Sequence, residues 1–207
     1  MVMPPALSAE EHARLTQEIR DAEANTSGEI YVVVAHSADA FRLVPVLWGA
    51  LFALLLPWVL HLATGLTTTV ILMLQVASFV GVSALLSIPR LRYRVVPPAL
   101  AEDAAHRAAL AQFMAHGVHL TSGRTGVLLY ISMMPRRIEV LADSGIHAKV
   151  APDEWDKTVA LIASEAGAGR LSDGLAAAIR TVGALLAEHF PKQADDRDEL
   201  PNRVVET

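Results

Sequence analysis

The chain has 207 residues, no cysteine, 17 Lys and Arg against 22 Asp and Glu, and a formal net charge of -5 at pH 7. This acidic balance argues against a nucleic-acid-binding protein, which favours a basic surface. The mean hydropathy of +0.38 comes from one long apolar segment and does not indicate a disordered or fibrous chain. The residues outside that segment amount to about one domain.

The N-terminal region predicts one helix and one strand. Ser8 and Glu11 form a capping box, in which each side chain bonds the backbone at the other's position, so a helix begins there. Glu29–Ala35 reads Glu-Ile-Tyr-Val-Val-Val-Ala, with little alternation of polar and apolar residues. This pattern is typical of a central strand that is buried on both faces.

Residues 43–89 contain no Asp, Glu, Lys or Arg. Within them, residues 44–62 and 66–88 each reach the roughly 20 apolar residues that span a bilayer core, and Ala-Thr-Gly at 63–65 separates them. They predict a two-helix transmembrane hairpin. The alternative is a buried hairpin in a soluble protein, but soluble core helices are usually amphipathic. A secretory signal does not fit, because the apolar run begins too late.

The charges beside the hairpin predict its orientation. Arg42 precedes it and Arg90, Arg92 and Arg94 follow it, whereas the turn between the helices has no Lys or Arg. By the positive-inside rule, we expect a two-pass inner-membrane protein with both termini in the cytoplasm. The reducing cytoplasm suits a chain without cysteine.

After the hairpin, the pattern is helix, strand, strand, helix, helix. A helix is expected at about residues 99–114, and the apolar strands 126–132 and 137–142 are expected to pair as an antiparallel hairpin. Pro152 begins the next helix, and Ser172 is the expected N-cap of the last one.

These elements predict the domain organisation. Residues 1–42 offer one helix and one strand, which cannot satisfy its backbone alone. We therefore expect residues 1–42 and 90–192 to form one α/β/α sandwich domain, interrupted by the transmembrane hairpin at 43–89. Residues 193–207 are expected to be a loosely held polar tail.

Several segments, in this order, resemble the TPM domain family, also called the TPM-phosphatase family. They are Glu-Ala-Asn-Thr-Ser-Gly-Glu-Ile at 23–30, Thr-Gly-Val-Leu-Leu-Tyr-Ile-Ser at 125–132, Arg-Arg-Ile-Glu-Val-Leu-Ala-Asp-Ser-Gly-Ile at 136–146, and Glu-Leu-Pro at 199–201. The chain is also similar to the bacterial subgroup in which two membrane helices interrupt the domain. The resemblance implies an α/β/α fold and, for some members, acid phosphatase activity with divalent cation binding.

Asp143, Asp153 and Glu29 are the candidate metal ligands, for Ca²⁺ or Mg²⁺, at strand ends where open α/β sheets place sites. Members with the metal site have an acidic residue just before the second strand, where this chain has Arg124-Thr125. Alternatively, Asp143 caps a turn, Asp153 stabilises the first turn of a helix, and Glu29 stabilises a turn.

Histidines give weaker signals. His116 and His119 have the spacing of a metal-binding pair but no third ligand of clear spacing. His147 lies near Asp143 and could act as a general base, although no nucleophile motif accompanies it.

Two functions follow from these features. The leading hypothesis is a non-enzymatic, membrane-anchored TPM-like domain that binds a partner protein or a ligand at the cytoplasmic face. The alternative is a membrane-bound, divalent-cation-dependent phosphatase. The expected partners are the lipid bilayer, an unidentified protein and a second copy of the hairpin. The last contact would use the small residues Gly49, Gly81, Ser83 and Ala84.

Overall fold

The computed structural model describes residues 6–38, 41–193 and 198–207. The elements, in chain order, are α1 (Ala9–Glu23), β1 (Glu29–Ala35), α2 (Leu43–Ala63), α3 (Thr68–Leu86), α4 (Pro89–Arg92), α5 (Pro98–Ala115), a 3-10 turn (Val118–Leu120), β2 (Gly126–Met133), β3 (Arg136–Ala142), α6 (Ser144–His147), α7 (Pro152–Gly167), α8 (Leu171–His189) and β4 (Val204–Glu206). The fold is therefore a mixed α/β fold. The chain divides into two compact units, Met1–Ala38 with Glu102–Thr207, and Asp39–Ala101.

The strands of the first unit form one four-stranded mixed sheet in the order β3-β2-β1-β4. β1 pairs in parallel with β2, and β2 pairs antiparallel with β3. The expected β2–β3 hairpin is confirmed, as is the expectation that Glu29–Ala35 joins the later strands in one sheet.

Both faces of this sheet are buried at its central strands, β1 and β2. Residues 30, 32 and 34 of β1 belong to a hydrophobic cluster with α1, α7 and α8, whereas residues 31, 33 and 35 belong to a second cluster with α5. Because successive side chains of a strand point to opposite faces, burial of both faces requires apolar residues at every position. This explains the unbroken apolar sequence of β1.

The C-terminal tail was predicted wrongly for the residues that the structure describes. β4 pairs in parallel with β1, with Val32 opposite Val204. The Glu206 carboxylate accepts hydrogen bonds from the backbone N–H groups of Ala6 and Leu7, at 3.1 and 3.0 Å. Polar composition suggested a loose terminus, but pairing with a central strand is a long-range contact that composition does not reveal. Residues 194–197 lie outside the described residues.

The start of α8 also differs from the prediction. Its N-cap is Arg170, and Ser172 lies inside the first turn, where it is buried. The helix therefore begins at Leu171, two residues earlier than a side-chain cap at Ser172 would require.

In the second unit, α2 and α3 pack along one another as a helical hairpin. Each helix is long and apolar enough to cross a membrane. Many of their large apolar side chains are exposed, including Leu43 at 74%, Trp58 at 70% and Leu62 at 83%. The unit extends beyond the predicted hairpin to include α4 and the segment up to Ala101.

Candidate functional site

The candidate site begins at the amino end of the two central strands. Glu29 is the first residue of β1 and is buried, and it lies opposite Gly126, the first residue of β2. Ligand sites of open parallel sheets usually lie at the carboxyl ends of the strands. Glu29 therefore lies at the opposite end of the strands from the usual ligand site.

Three carboxylates meet at this position. Glu23 is the last residue of α1, Glu29 begins β1, and Asp198 lies in the segment before β4; one carboxylate oxygen of each lies within 4.8 Å of the others. We call these three residues the acidic cluster. The Glu23 Oε1 atom accepts a hydrogen bond of 2.7 Å from the backbone N–H of Ile30. The Glu29 Oε1 atom accepts one of 3.1 Å from the backbone N–H of Glu199.

The pKa of Glu23 is raised to about 8, chiefly because burial disfavours its charged form. The hydrogen bond from Ile30 opposes this rise, and the nearby charges of Glu29 and Asp198 add to it. Glu23 therefore holds a proton at neutral pH. A hard divalent cation is bound by carboxylate oxygens and competes with protons for them, so this cluster has the chemistry to hold one.

A polar cavity of about 860 Å³ adjoins Glu29. Its walls carry both signs of charge, with Glu29 and Glu199 among the carboxylates and Lys149 and Lys192 among the ammonium groups. The Lys149 ammonium donates a hydrogen bond of 3.2 Å to the carbonyl oxygen of His189. Such a cavity suits a polar ligand that carries an anionic group.

The wall of this cavity is held by the segment around Glu199. The Glu199 Oε2 atom accepts a hydrogen bond of 2.8 Å from the backbone N–H of Ser122. Gly145 packs against the same loop so closely that an added Cβ would lie 2.8 Å from the carbonyl oxygen of Gly123. Glycine is therefore required where α6 meets the loop.

Asp143 and Asp153 do not join the acidic cluster in the described part of the chain. Asp143 is the N-cap of α6, and its Oδ1 accepts hydrogen bonds from the N–H and hydroxyl of Ser144 at 2.6 and 3.1 Å. Asp153 is exposed and lies 3.6 Å from the ammonium of Lys157. Both positions agree with the capping and helix-turn alternatives, and metal binding by either residue stays a prediction.

His116 is half-buried, and both nitrogens of its ring have partners. Its Nδ1 lies 3.0 Å from the hydroxyl of Tyr31 and its Nε2 lies 2.9 Å from Oε1 of Gln112. Burial lowers the pKa of His116. Both ring nitrogens have protein partners, so the spacing to His119 reflects packing.

Of the acidic cluster, sequence reasoning predicted Glu29 and missed Glu23 and Asp198. Glu23 and Glu29 flank a short Ala-Asn-Thr-Ser-Gly turn, and this spacing is a signal that could have placed the two carboxylates together. Asp198 carries no local signal, because only the return of the chain into β4 brings it to α1.

No protein-family model and no curated protein matches the chain. Among solved structures, the chain is similar to the NMR structure of the BA42 protein from the psychrophilic bacterium Bizionia argentinensis, with a TM-score of 0.64 and 23% sequence identity. The similarity covers 100% of this chain and 99% of that chain. At this identity, it establishes the mixed α/β fold alone.

Proposed function

We propose that this protein is a TPM-like α/β/α domain anchored in the inner membrane, which binds a ligand or partner protein at the cytoplasmic face. In this proposal, α2 and α3 cross the bilayer, and both termini lie in the cytoplasm. The observation that carries the anchoring is the exposure of these helices. Only 22% of the apolar window of α2 and 6% of that of α3 is buried, whereas the core helix of a soluble protein is mostly buried.

The cost of leaving these side chains in water supports a bilayer around them. Leaving a large apolar side chain in water, instead of burying it, costs about 1.5–3 kcal/mol. About ten such residues would cost more than the typical stability of a domain, about 5–15 kcal/mol. Lipid removes this cost, and the helical backbone satisfies its own hydrogen bonds there.

Cysteine accessibility tests the anchoring and the topology, because the native chain has no cysteine. Gly65→Cys places a thiol between α2 and α3, and Thr181→Cys places one on the exposed side of α8. In intact spheroplasts, a membrane-impermeant maleimide should label the Gly65→Cys variant and should reach the Thr181→Cys variant only after lysis. Reversed labelling would overturn the orientation, and release of the protein by alkaline carbonate would overturn the anchoring.

The polar cavity beside Glu29 supports the binding role. It combines ammonium groups with carboxylates, and several backbone segments form its wall. Such a site can orient a small polar ligand without any covalent chemistry.

The acidic cluster supports a second candidate, a divalent-cation-dependent phosphatase. Glu23, Glu29 and Asp198 would hold the cation, which would supply positive charge next to a phosphoryl group. Lys149 and Lys192 in the adjoining cavity could bind the phosphate oxygens.

Hydrolysis of p-nitrophenyl phosphate by the full-length protein in detergent, with and without Ca²⁺, Mg²⁺ or Mn²⁺, separates the two functions. Cation-dependent turnover that is lost in Glu29→Gln and kept in Asp143→Asn would place a phosphatase site at the acidic cluster. Turnover that is lost in Asp143→Asn and kept in Glu29→Gln would place the phosphatase site at the end of β3, where Asp143 lies. If the wild type hydrolyses the substrate no faster than both variants do, the protein is not a phosphatase in this assay and the binding function remains.

A further inference from the structure

The second unit has an uneven distribution of charge. Residues 41–101 contain four arginines and no Asp, Glu or Lys. Arg42 is the N-cap of α2, and Arg90, Arg92 and Arg94 lie in α4 or just after it. We call these four residues the arginine collar. All of them lie outside the apolar spans of α2 and α3.

Two contacts hold both parts of the collar at the same end of the helical hairpin. The indole N–H of Trp48, one turn into α2, donates a hydrogen bond of 3.0 Å to the carbonyl oxygen of Val95. The rings of Phe41 and Tyr93 meet edge to face, with their centroids 6.3 Å apart. The start of α2 and the segment after α3 are therefore fastened together. Trp and Tyr are the side chains that favour the interface between lipid and water.

The four arginines have different surroundings. Arg92 donates a hydrogen bond of 2.9 Å to the carbonyl oxygen of Ser87 at the end of α3, and its guanidinium lies 5.9 Å from the ring centre of Tyr93. Arg42, Arg90 and Arg94 are exposed. Arg92 thus stabilises the end of α3, while the other three present their charge to the surroundings.

The rest of the chain has the opposite charge. When the four collar residues are set aside, 13 of the 17 basic residues remain against 22 acidic ones, which is a net charge of -9. The collar is therefore a local concentration of positive charge in a chain that is otherwise acidic overall. The partner that the collar fits must therefore be anionic, and it must lie next to an apolar medium that covers α2 and α3.

We propose that the arginine collar binds the headgroups of anionic phospholipids, so that the hairpin selects them over zwitterionic lipids. This inference rests on the proposed membrane anchoring and adds its lipid specificity. A guanidinium can donate two parallel hydrogen bonds to phosphate oxygens, and the net negative charge of an anionic headgroup distinguishes it from phosphatidylcholine. Anionic lipid also attracts basic residues that lie next to a membrane helix, because their charges are opposite.

The test is lipid retention by the full-length protein. The protein is purified in a mild non-ionic detergent with an equimolar mixture of phosphatidylglycerol and phosphatidylcholine, and native mass spectrometry counts the lipids that stay bound. The wild type should retain phosphatidylglycerol preferentially. In the double variant Arg90→Gln/Arg94→Gln, this preference should fall by about fivefold for each arginine removed. The double variant Arg90→Lys/Arg94→Lys should keep most of it, since it keeps the charge.

Arg20→Gln/Arg136→Gln is the matched control, because it removes two exposed positive charges from the other unit. It should leave the preference unchanged. An equal loss in this control, or no preference in the wild type, would overturn the inference. A high salt concentration should weaken the preference of the wild type by screening, with no substitution that could disturb folding.

Failure of the lipid selectivity can be told apart from failure of the membrane anchoring. If alkaline carbonate releases the wild type from membranes, the anchoring itself is wrong. If the protein stays in the membrane yet retains both lipids equally, only the lipid selectivity is wrong.

Discussion

At the scale of single residues, the three carboxyl groups of the acidic cluster differ in how deeply they are buried. Glu23 is buried and protonated at neutral pH, Glu29 is buried at the start of a central strand, and Asp198 is exposed. A buried carboxylate without a full charge partner shifts its pKa upward and stays neutral. The protonation of Glu23 therefore changes across the neutral pH range.

The first prediction concerns the pH dependence of stability. The pKa of Glu23 is about 8 in the folded state, against 4.5 for an ordinary glutamate. Between these values the folded state binds more protons than the unfolded state, so the free energy of unfolding falls as pH rises from about 5 to 8. The contribution of Glu23 is at most about 5 kcal/mol. Glu23→Gln should remove this slope while keeping an acceptor for the N–H of Ile30.

Thermal unfolding at a series of pH values in EDTA measures this slope. Glu10→Gln, an exposed position on the same helix, is the matched control and should keep the slope of the wild type. A wild type whose stability does not fall between pH 5 and pH 8 would contradict the prediction.

The second prediction concerns Asp143. Its carboxylate caps α6 through Ser144, and its Oδ2 lies 3.8 Å from the guanidinium of Arg124. Asp143→Ala should lower stability by about 1 kcal/mol, the usual cost of a lost N-cap. Asp143→Asn should cost less, since it keeps an oxygen acceptor. Calorimetric titration with Ca²⁺ should give the same result for both variants as for the wild type, and loss of cation binding in Asp143→Asn would instead restore Asp143 as a ligand.

At the scale of elements, the hairpin illustrates how small residues are used. Gly49 of α2 lies against α3, where an added Cβ would collide with the hydroxyl of Ser83 and lie 3.2 Å from the carbonyl oxygen of Phe79. A Cβ added at Gly81 of α3 would meet no neighbouring atom of the described residues within 4 Å. Of the two glycines proposed for contact with a second copy, Gly49 is thus engaged within the hairpin, and assembly into oligomers stays a prediction.

The third prediction compares these two glycines. Gly49→Ala should destabilise the pairing of α2 with α3, because the methyl group meets α3 at less than contact distance. Gly81→Ala should be neutral or stabilising by up to about 1 kcal/mol, since alanine favours a helix over glycine. Thermal unfolding of both variants in the same detergent checks this difference, and an equal loss of stability would show that Gly81 also lies in a contact.

At the scale of the whole molecule, the first unit has all that a folded domain requires. Both hydrophobic clusters of the sheet consist of residues from Met1–Ala38 and Glu102–Thr207. Where the first segment ends, the N–H of Ala38 donates to the hydroxyl of Ser132 at 3.1 Å. The second unit could thus be removed without loss of either cluster.

The fourth prediction follows from this division. Replacing Asp39–Ala101 with a flexible Gly-Ser linker should yield a soluble protein that unfolds cooperatively, because its apolar clusters remain and the exposed helices are gone. A series of linker lengths guards against strain at the junction. Circular dichroism and size-exclusion chromatography check the outcome, and aggregation at every length would show that the second unit is needed for folding.

Features that depend on neighbouring residues were largely predicted from the sequence alone. The charge-free run of residues 43–89 predicted two long apolar helices, and the unbroken apolar run of Glu29–Ala35 predicted a strand with two buried faces. Periodicity, capping and charge act within a few residues of each other, so they are visible in the sequence. The tertiary structure alone decided that Asp198 reaches Glu23 and Glu29 and that β4 completes the sheet. Those contacts join residues far apart in the chain, and their free energy depends on the order of the strands, which no local pattern encodes.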